Sequence, residues 1–376
     1  MKVLHLITGG DTGGAKTHVL TLLKELNNYI DSRLLCIMEG IFTEEAKKLD
    51  IPIKIVPQRK RYNIFVIKKM ANIINEGDYD ILHCHGARAN FLAVLLRPLI
   101  NTPIITTVHS DYKLDFSDNI YKYWLYTPIN SLALRFIKYY IAVTHSFKDM
   151  LVDRGFDEDK IFEVYNGISF KKDIEVKNKE DFLKEYNIKY DENKLYIGNV
   201  GRLHPVKGID IFLKASKELL KQYDNIVFLV AGEGEERKKY EEFIKTENLT
   251  NDVYLLGHVT DMNSFYNVID INILSSYTES FPYALLEGAR QKKATISSRV
   301  GGISRMIDNG ENGFLFESGS VKDLVNKSKI LIEDEKLRNE FGEKFYTKVK
   351  KEFSGEAMAK AHVEIYKKLL EKEGSR

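Results

Sequence analysis

Glu279 and Glu287 flank a proline in the run Glu279-Ser280-Phe281-Pro282-Tyr283-Ala284-Leu285-Leu286-Glu287-Gly288-Ala289. Carboxylates accept hydrogen bonds in pairs, which suits vicinal diols such as those of a ribose or a hexose. Pro282 fits the first position of a helix, where its missing N–H leaves nothing unpaired. The amides of Tyr283, Ala284 and Leu285 then point out of the helix start, toward an anion. Glu279 precedes the turn, and Glu287 lies more than a turn along the helix.

A second group of charges stands in Gly201-Arg202-Leu203-His204-Pro205-Val206-Lys207-Gly208. Arg202 can fork onto phosphate oxygens, and Lys207 adds a point charge at the mouth of the next helix. The pair suits a diphosphate; two loop cations in solvent is the plainer reading. A third group, Gly9-Gly10-Asp11-Thr12-Gly13-Gly14-Ala15, follows the first apolar run. Its glycines allow close backbone approach, and the following helix start favours an anion. It lacks the GxGxxG spacing, and a tight turn accounts for it equally well.

The elements that must position these residues show in the apolar pattern. Short runs rich in Val, Ile and Tyr alternate with segments of helical period, the mark of strand–helix–strand units on parallel sheets. Strands are predicted at 2–8, 32–38, 51–57, 80–85, 103–109, 139–144 and 161–165, with helices at 15–27, 63–76, 87–97 and 117–138. A polar stretch at 169–194 reads as the connection, carrying a short helix. The pattern restarts with strands at 195–200, 225–231, 253–257, 271–275, 294–298 and 313–316, and helices at 208–222, 235–247, 283–292 and 321–333. The fold expected is α/β, with two Rossmann-like doubly wound domains facing a central cleft at the carboxyl ends of their strands. The domains are placed at 1–168 and 169–354, with a last helix at about 355–376 packing back on the first.

With 376 residues the chain exceeds one ordinary core and suits two. A net charge of +2 argues against a general nucleic-acid coat. Cys36 and Cys84 each sit in an apolar run, as buried reduced thiols do. The apolar start Val3-Leu4-His5-Leu6-Ile7 is too short for a secretory signal, and no apolar run could span a bilayer. A cytoplasmic protein is expected, with the inner face of the cytoplasmic membrane as a second place for it. Two features bear on that surface. Lys47, Lys48, Lys54, Arg59, Lys60, Arg61, Lys68 and Lys69 form a basic cluster, read as a solvated face or as a surface for anionic lipid or an anionic acceptor. Tyr121, Tyr123, Trp124, Tyr126, Phe136 and Tyr139, interleaved with Lys122, Arg135 and Lys138, suit either a helix packed on the sheet or one at a membrane interface. His83 and His85 project to one face of a strand, but no third ligand is visible near them, so no metal is expected there. No Asp-x-Asp closes a candidate strand to hold a metal–diphosphate either.

Taken together these motifs resemble the retaining glycosyltransferases of family 4, whose two-domain architecture is called GT-B. The resemblance runs through Gly13-Gly14, Val108-His109-Ser110, Asn166-Gly167-Ile168, Gly201-Arg202 with Lys207, Ala231-Gly232-Glu233-Gly234, Gly257-His258-Val259 and Glu279 through Glu287. The last, two glutamates separated by seven residues, is the most specific. The resemblance implies that Glu279 holds hydroxyls of the donor sugar and Glu287 those of the ribose. It implies that Arg202 and Lys207 hold the diphosphate, joined by Gly13, Gly14, Gly201 and the backbone near Tyr283 and Ala284. Val259, Ser280 and Phe281 complete the donor contacts, and His109 meets the transferred sugar. The catalytic set is then His109, Arg202, Lys207 and Glu279, with no metal and no cofactor, the nucleotide-sugar being a co-substrate. The expected partners are a nucleotide-sugar donor, uridine diphosphate being the default nucleotide, and a glycan or lipid-linked acceptor of envelope or exopolysaccharide synthesis; nucleic acid is not one. An epimerase or phosphorylase on the same architecture, or a cleft that only binds nucleotide, is the alternative reading.

Overall fold

The computed structural model describes residues 1–10, 13–58, 64–113, 120–170 and 175–374. They form two compact units, Met1–Ser169 with Ser354–Arg376, and Phe170–Phe353. The first unit runs β1 (Lys2–Ile7), α1 (Gly13–Leu26), β2 (Asp31–Cys36), α2 (Ile41–Lys48), β3 (Ile53–Ile55), α3 (Ile64–Glu76), β4 (Ile81–His85), α4 (Ala87–Leu96), β5 (Ile104–Val108), α5 (Ile120–Phe136), β6 (Tyr139–Ala142), α6 (His145–Asp153) and β7 (Ile161–Glu163). Its sheet has the order β3-β2-β1-β4-β5-β6-β7, parallel throughout.

The second unit runs α7 (Lys179–Lys184), β8 (Leu195–Val200), α8 (Ile209–Leu220), β9 (Ile226–Ala231), α9 (Arg237–Thr246), β10 (Val253–Gly257), α10 (Met262–Val268), β11 (Ile271–Leu274), α11 (Tyr283–Arg290), β12 (Ala294–Ser298), α12 (Ile303–Met306), β13 (Phe314–Phe316), α13 (Val321–Glu333) and α14 (Glu335–Glu352). Its parallel sheet is ordered β10-β9-β8-β11-β12-β13. The last helix, α15 (Gly355–Gly374), belongs to the first unit.

Strands covered by helices on both faces are apolar along their whole length. β4 and β9 are buried at every position. In the first unit one core layer joins Leu4, Leu82 and Cys84 to Met70, Leu92 and Leu96. On the opposite face Val3, Ile81 and Ile105 pack with Leu22 and Leu26 of α1 and with Met358, Ile365 and Tyr366 of α15. Alternation along a strand thus sends His5, His83 and His85 to the face that α15 covers.

The structure differs from the sequence reading in its short elements. Helices α2, α6, α10 and α12 were not anticipated; each has fewer than ten residues, too few turns to show a periodic face. The strand predicted at 51–57 contracts to Ile53–Ile55, because Pro52 and Pro57 cannot donate to a ladder. The basic and aromatic features are only partly within view, since Arg59, Lys60 and Arg61 lie outside the described residues. On α5, Trp124, Leu132 and Phe136 are exposed, while Asn130, Ala133 and Leu134 face the interior. No helix among the described residues is long and apolar enough to cross a membrane.

Candidate active site

Strand order reverses between β1 and β4 in the first unit and between β8 and β11 in the second. Open parallel sheets take ligands outside the carboxyl ends of their strands at such points, where the two flanking loops diverge. In the second unit those loops are 201–208, after β8, and 275–282, after β11. The two loops are tied together. Tyr277 N–H donates to the Val206 carbonyl at 2.8 Å, and Ser275 Oγ donates to the Lys207 carbonyl at 3.4 Å. The imidazole of His204 caps the turn Pro205–Lys207, its Nδ1 accepting from Val206 N–H at 3.2 Å. Gly208 closes the loop at φ +59°, where a Cβ would lie 2.1 Å from the Ser275 carbonyl oxygen; only glycine permits that approach.

This lock brings Lys207 onto Glu279. Lys207 Nζ lies 2.6 Å from Glu279 Oε1, and Ser276 Oγ donates to the same oxygen at 2.7 Å. The carboxylate is 9% exposed and the ammonium 27%, so the pair is held at the floor of the loops rather than in open solvent. Behind it, Gly302 N–H donates to the Ser280 carbonyl at 2.9 Å. Gly301, at φ +53°, packs so closely that a Cβ would stand 1.7 Å from the Glu279 carbonyl oxygen. Arg202 is exposed at the start of the first loop, and Gly201 lies against the Lys207 stem.

The helix start differs from expectation by one residue. Pro282 is the N-cap of α11, with φ −76° and an extended ψ of 125°, and Tyr283 is the first helical residue. Leu285 N–H already donates to the Pro282 carbonyl at 3.2 Å, so the anion-facing amides are those of Tyr283 and Ala284, which have no intrahelical acceptor. Phe281 turns its ring into the core against Phe353, with centroids 5.1 Å apart, which leaves its backbone as the part able to meet a ligand. Ser280 is partly exposed and Val259 is buried.

Glu287 lies further along α11, partly buried. Burial raises its carboxyl above the usual range, while the Arg290 guanidinium and the Tyr266 hydroxyl pull it back down. Tyr266 itself donates to the Ala284 carbonyl at 2.9 Å, and burial pushes the neighbouring Tyr283 phenol up, its hydroxyl having no partner. A partly buried carboxylate on the same helix as an unpaired hydroxyl is a site with hydrogen-bonding capacity to offer a diol.

In the first unit Gly13 and Gly14 open α1, Gly14 being exposed; Asp11 and Thr12 lie outside the described residues. His109 follows β5 and is half-buried, with Nε2 buried and unpartnered. Burial first, and His362 second, pull its pKa down to about 4, so the imidazole is neutral at pH 7. The reading of His83 and His85 as a pair without a third ligand needs correction. His5 of β1 stands in register with His83, and His5, His83 and His85 each offer a nitrogen within 4.8 Å of the others. That neighbour is invisible locally because β1 and β4 are adjacent in the sheet but far apart in the chain. Ser276, Gly301 and Gly302 were missed for the same reason: their part depends on which loops the sheet order makes neighbours.

Residues 12–172 match the family described as Glycosyltransferase Family 4, and residues 179–348 match Glycosyl transferases group 1. An uncharacterised glycosyltransferase of Methanocaldococcus jannaschii, MJ1178, is 29% identical over 95% of this chain and 95% of its own. The UDP-Gal:alpha-D-GlcNAc-diphosphoundecaprenol alpha-1,3-galactosyltransferase of Escherichia coli is 26% identical over 83% of this chain and 82% of its own. Among solved structures, Anabaena Alr3699/HepE in complex with UDP superposes with a TM-score of 0.81 at 18% identity, covering 98% of this chain and 100% of that one. That last likeness is one of fold.

Proposed function

Since the chain is a family 4 glycosyltransferase with the GT-B fold, we propose that it moves a hexose or N-acetylhexosamine, with retention, from uridine diphosphate to a glycan or lipid-linked acceptor of envelope or exopolysaccharide synthesis. The observation that carries the donor side is the Lys207–Glu279 pair, 2.6 Å apart, beside the amides that open α11. Breaking the anomeric bond builds charge on the departing diphosphate, and fixed cations and amides aimed at it lower the barrier. Arg202, Lys207 and the amides of Tyr283 and Ala284 supply that charge from protein groups. As the diphosphate draws Lys207 toward itself, Glu279 is released to accept from hydroxyls of the sugar; Glu287 accepts from the ribose. His109, a neutral imidazole of the first unit, is assigned to the transferred sugar. The acceptor attacks on the face the leaving group vacates, and its proton passes to the departing phosphate, so no protein nucleophile is assigned.

The lipid-linked acceptor is supported by the exposed Trp124, Leu132 and Phe136 on α5 and by the acceptor named for the Escherichia coli relative.

The test is nucleoside diphosphate release from uridine and guanosine sugar donors, with and without polyprenyl-diphosphate-sugar acceptors. Acceptor-dependent release that persists in a chelator is expected, with Lys207→Met lowering kcat on the order of 10²–10³-fold. Sugar isomerised from donor alone, or unchanged turnover in both Lys207→Met and Glu279→Gln, would overturn the reading.

A further inference from the structure

Six of the nine histidines gather in the first unit: His5, His18, His83, His85, His109 and His362. They come from β1, α1, β4, the loop after β5, and α15. Five of them carry a buried ring nitrogen with no hydrogen-bond partner: His5 Nε2, His18 Nε2, His85 Nδ1, His109 Nε2 and His362 Nε2. Buried polar atoms are ordinarily satisfied, so five orphan nitrogens in one cluster require an explanation.

We propose that His18, His85 and His109 form a binding site for a divalent transition-metal ion of the zinc class. Each offers a nitrogen within 4.8 Å of the other two, and each has one of the orphan nitrogens. The opposite edges of two rings are already held as metal ligands require, since a ligating imidazole is oriented by a hydrogen bond at its other nitrogen. His18 Nδ1 donates to Asn166 Oδ1 at 2.9 Å, which leaves Nε2 as a lone pair. His85 Nε2 lies 3.0 Å from His5 Nδ1, and donation in that direction leaves a lone pair on the buried, unpartnered His85 Nδ1. Ring centroids stand 4.7 Å apart for His18 and His109, 5.8 Å for His85 and His109, and 6.1 Å for His18 and His85. Small ring rotations bring three nitrogens to bonds of about 2.0–2.1 Å around one ion.

The alternative trio of His5, His83 and His85 is the poorer site, because both nitrogens of His83 are engaged. They meet Tyr366 Oη at 2.6 Å and Thr107 Oγ1 at 2.7 Å. Donor chemistry selects the ion: three imidazoles without a carboxylate suit zinc, cobalt, nickel or copper and not magnesium or calcium. Burial keeps the imidazoles neutral near pH 7, the form that binds metal. His109 is only half-buried and is followed by the exposed Ser110, so the trio lies close to the protein surface, and three protein ligands leave the fourth tetrahedral position to water. The diphosphate chemistry proposed above does not use this ion. Because His109 is also assigned to the transferred sugar, occupancy should lower turnover; that consequence rests on the reading above, whereas the binding does not.

The test is cobalt(II) titration of the chelator-treated full chain, followed by its visible d–d bands. One equivalent of cobalt with tetrahedral bands, displaced by one equivalent of zinc, is expected. His18→Gln and His109→Gln should each weaken binding at least 100-fold, and Asn166→Ala by about 10–100-fold. His258→Gln, at an exposed histidine of the second unit, should leave it unchanged. X-ray absorption of the zinc-loaded wild type, which needs no variant to fold, should report three imidazole ligands. Absence of the bands, retention of them in both His18→Gln and His109→Gln, or fewer than two imidazoles on zinc would overturn the proposal.

Discussion

Lys207 and Glu279 neutralise each other across 2.6 Å, and the proposed donor binding would have to part them. A lone ammonium at a loop would be fully hydrated; here Glu279, itself held by Ser276, fixes it in one place. Glu287 works under a different constraint, since burial raises its carboxyl. A raised pKa means that the proton returns at a higher pH than for an ordinary carboxylate, and the neutral acid is the weaker acceptor. Donor KM should therefore begin to rise on acidification while the pH is still above the usual glutamate range. Glu287→Gln should start from a higher KM and show a flat profile across the same range. Steady-state kinetics between neutral and mildly acidic pH checks this, and a rise in KM that persists in Glu287→Gln would place the titration elsewhere.

At the scale of elements, the site is a product of sheet order. β8 and β11 are neighbours, so the loops that follow them must meet, and glycines at 208 and 301 let their backbones touch. Gly301 holds the turn that carries Glu279, at a φ that other residues adopt only under strain. Gly301→Ala is expected to push Glu279 and Ser280 away from Lys207, with a stability cost of about 1–3 kcal/mol. Its kcat should fall by at least tenfold, a larger effect than that of Gly310→Ala, where an added Cβ meets nothing. Thermal unfolding and turnover of the two variants decide it. Helices α1, α3, α4, α5, α8, α9 and α13, each of ten residues or more, were legible from their apolar period, whereas α2, α6, α10 and α12 were not, because their short faces carry no repeat that outweighs chance.

Taken whole, the molecule assigns its last helix to the unit that contains its first strand. α15 covers Val3, Ile81 and Ile105 and sets Tyr366 on His83. Deleting residues 355–374 should abolish the unfolding transition of the first unit and leave that of 170–353 in place. Scanning calorimetry of the truncated and full chains separates these outcomes; two unchanged transitions would show that the helix is dispensable. That the last helix packs back on the first unit was expected, but its partners were not, since an amphipathic stripe states that something covers it and not what.

The sequence by itself determined the two α/β units, a helix opening within one residue of Pro282 and the spacing of Glu279 and Glu287, because period, proline and charge act over a few residues. It could also show that Arg202 and Lys207 follow a strand. Only the tertiary structure decided that Lys207 rests on Glu279, that Gly301 supports that turn, and that histidines from two strands, two helices and the loop after β5 share one space. Those contacts follow from which strands lie side by side, and strand order is fixed by the packing of the whole sheet rather than by any stretch of the chain.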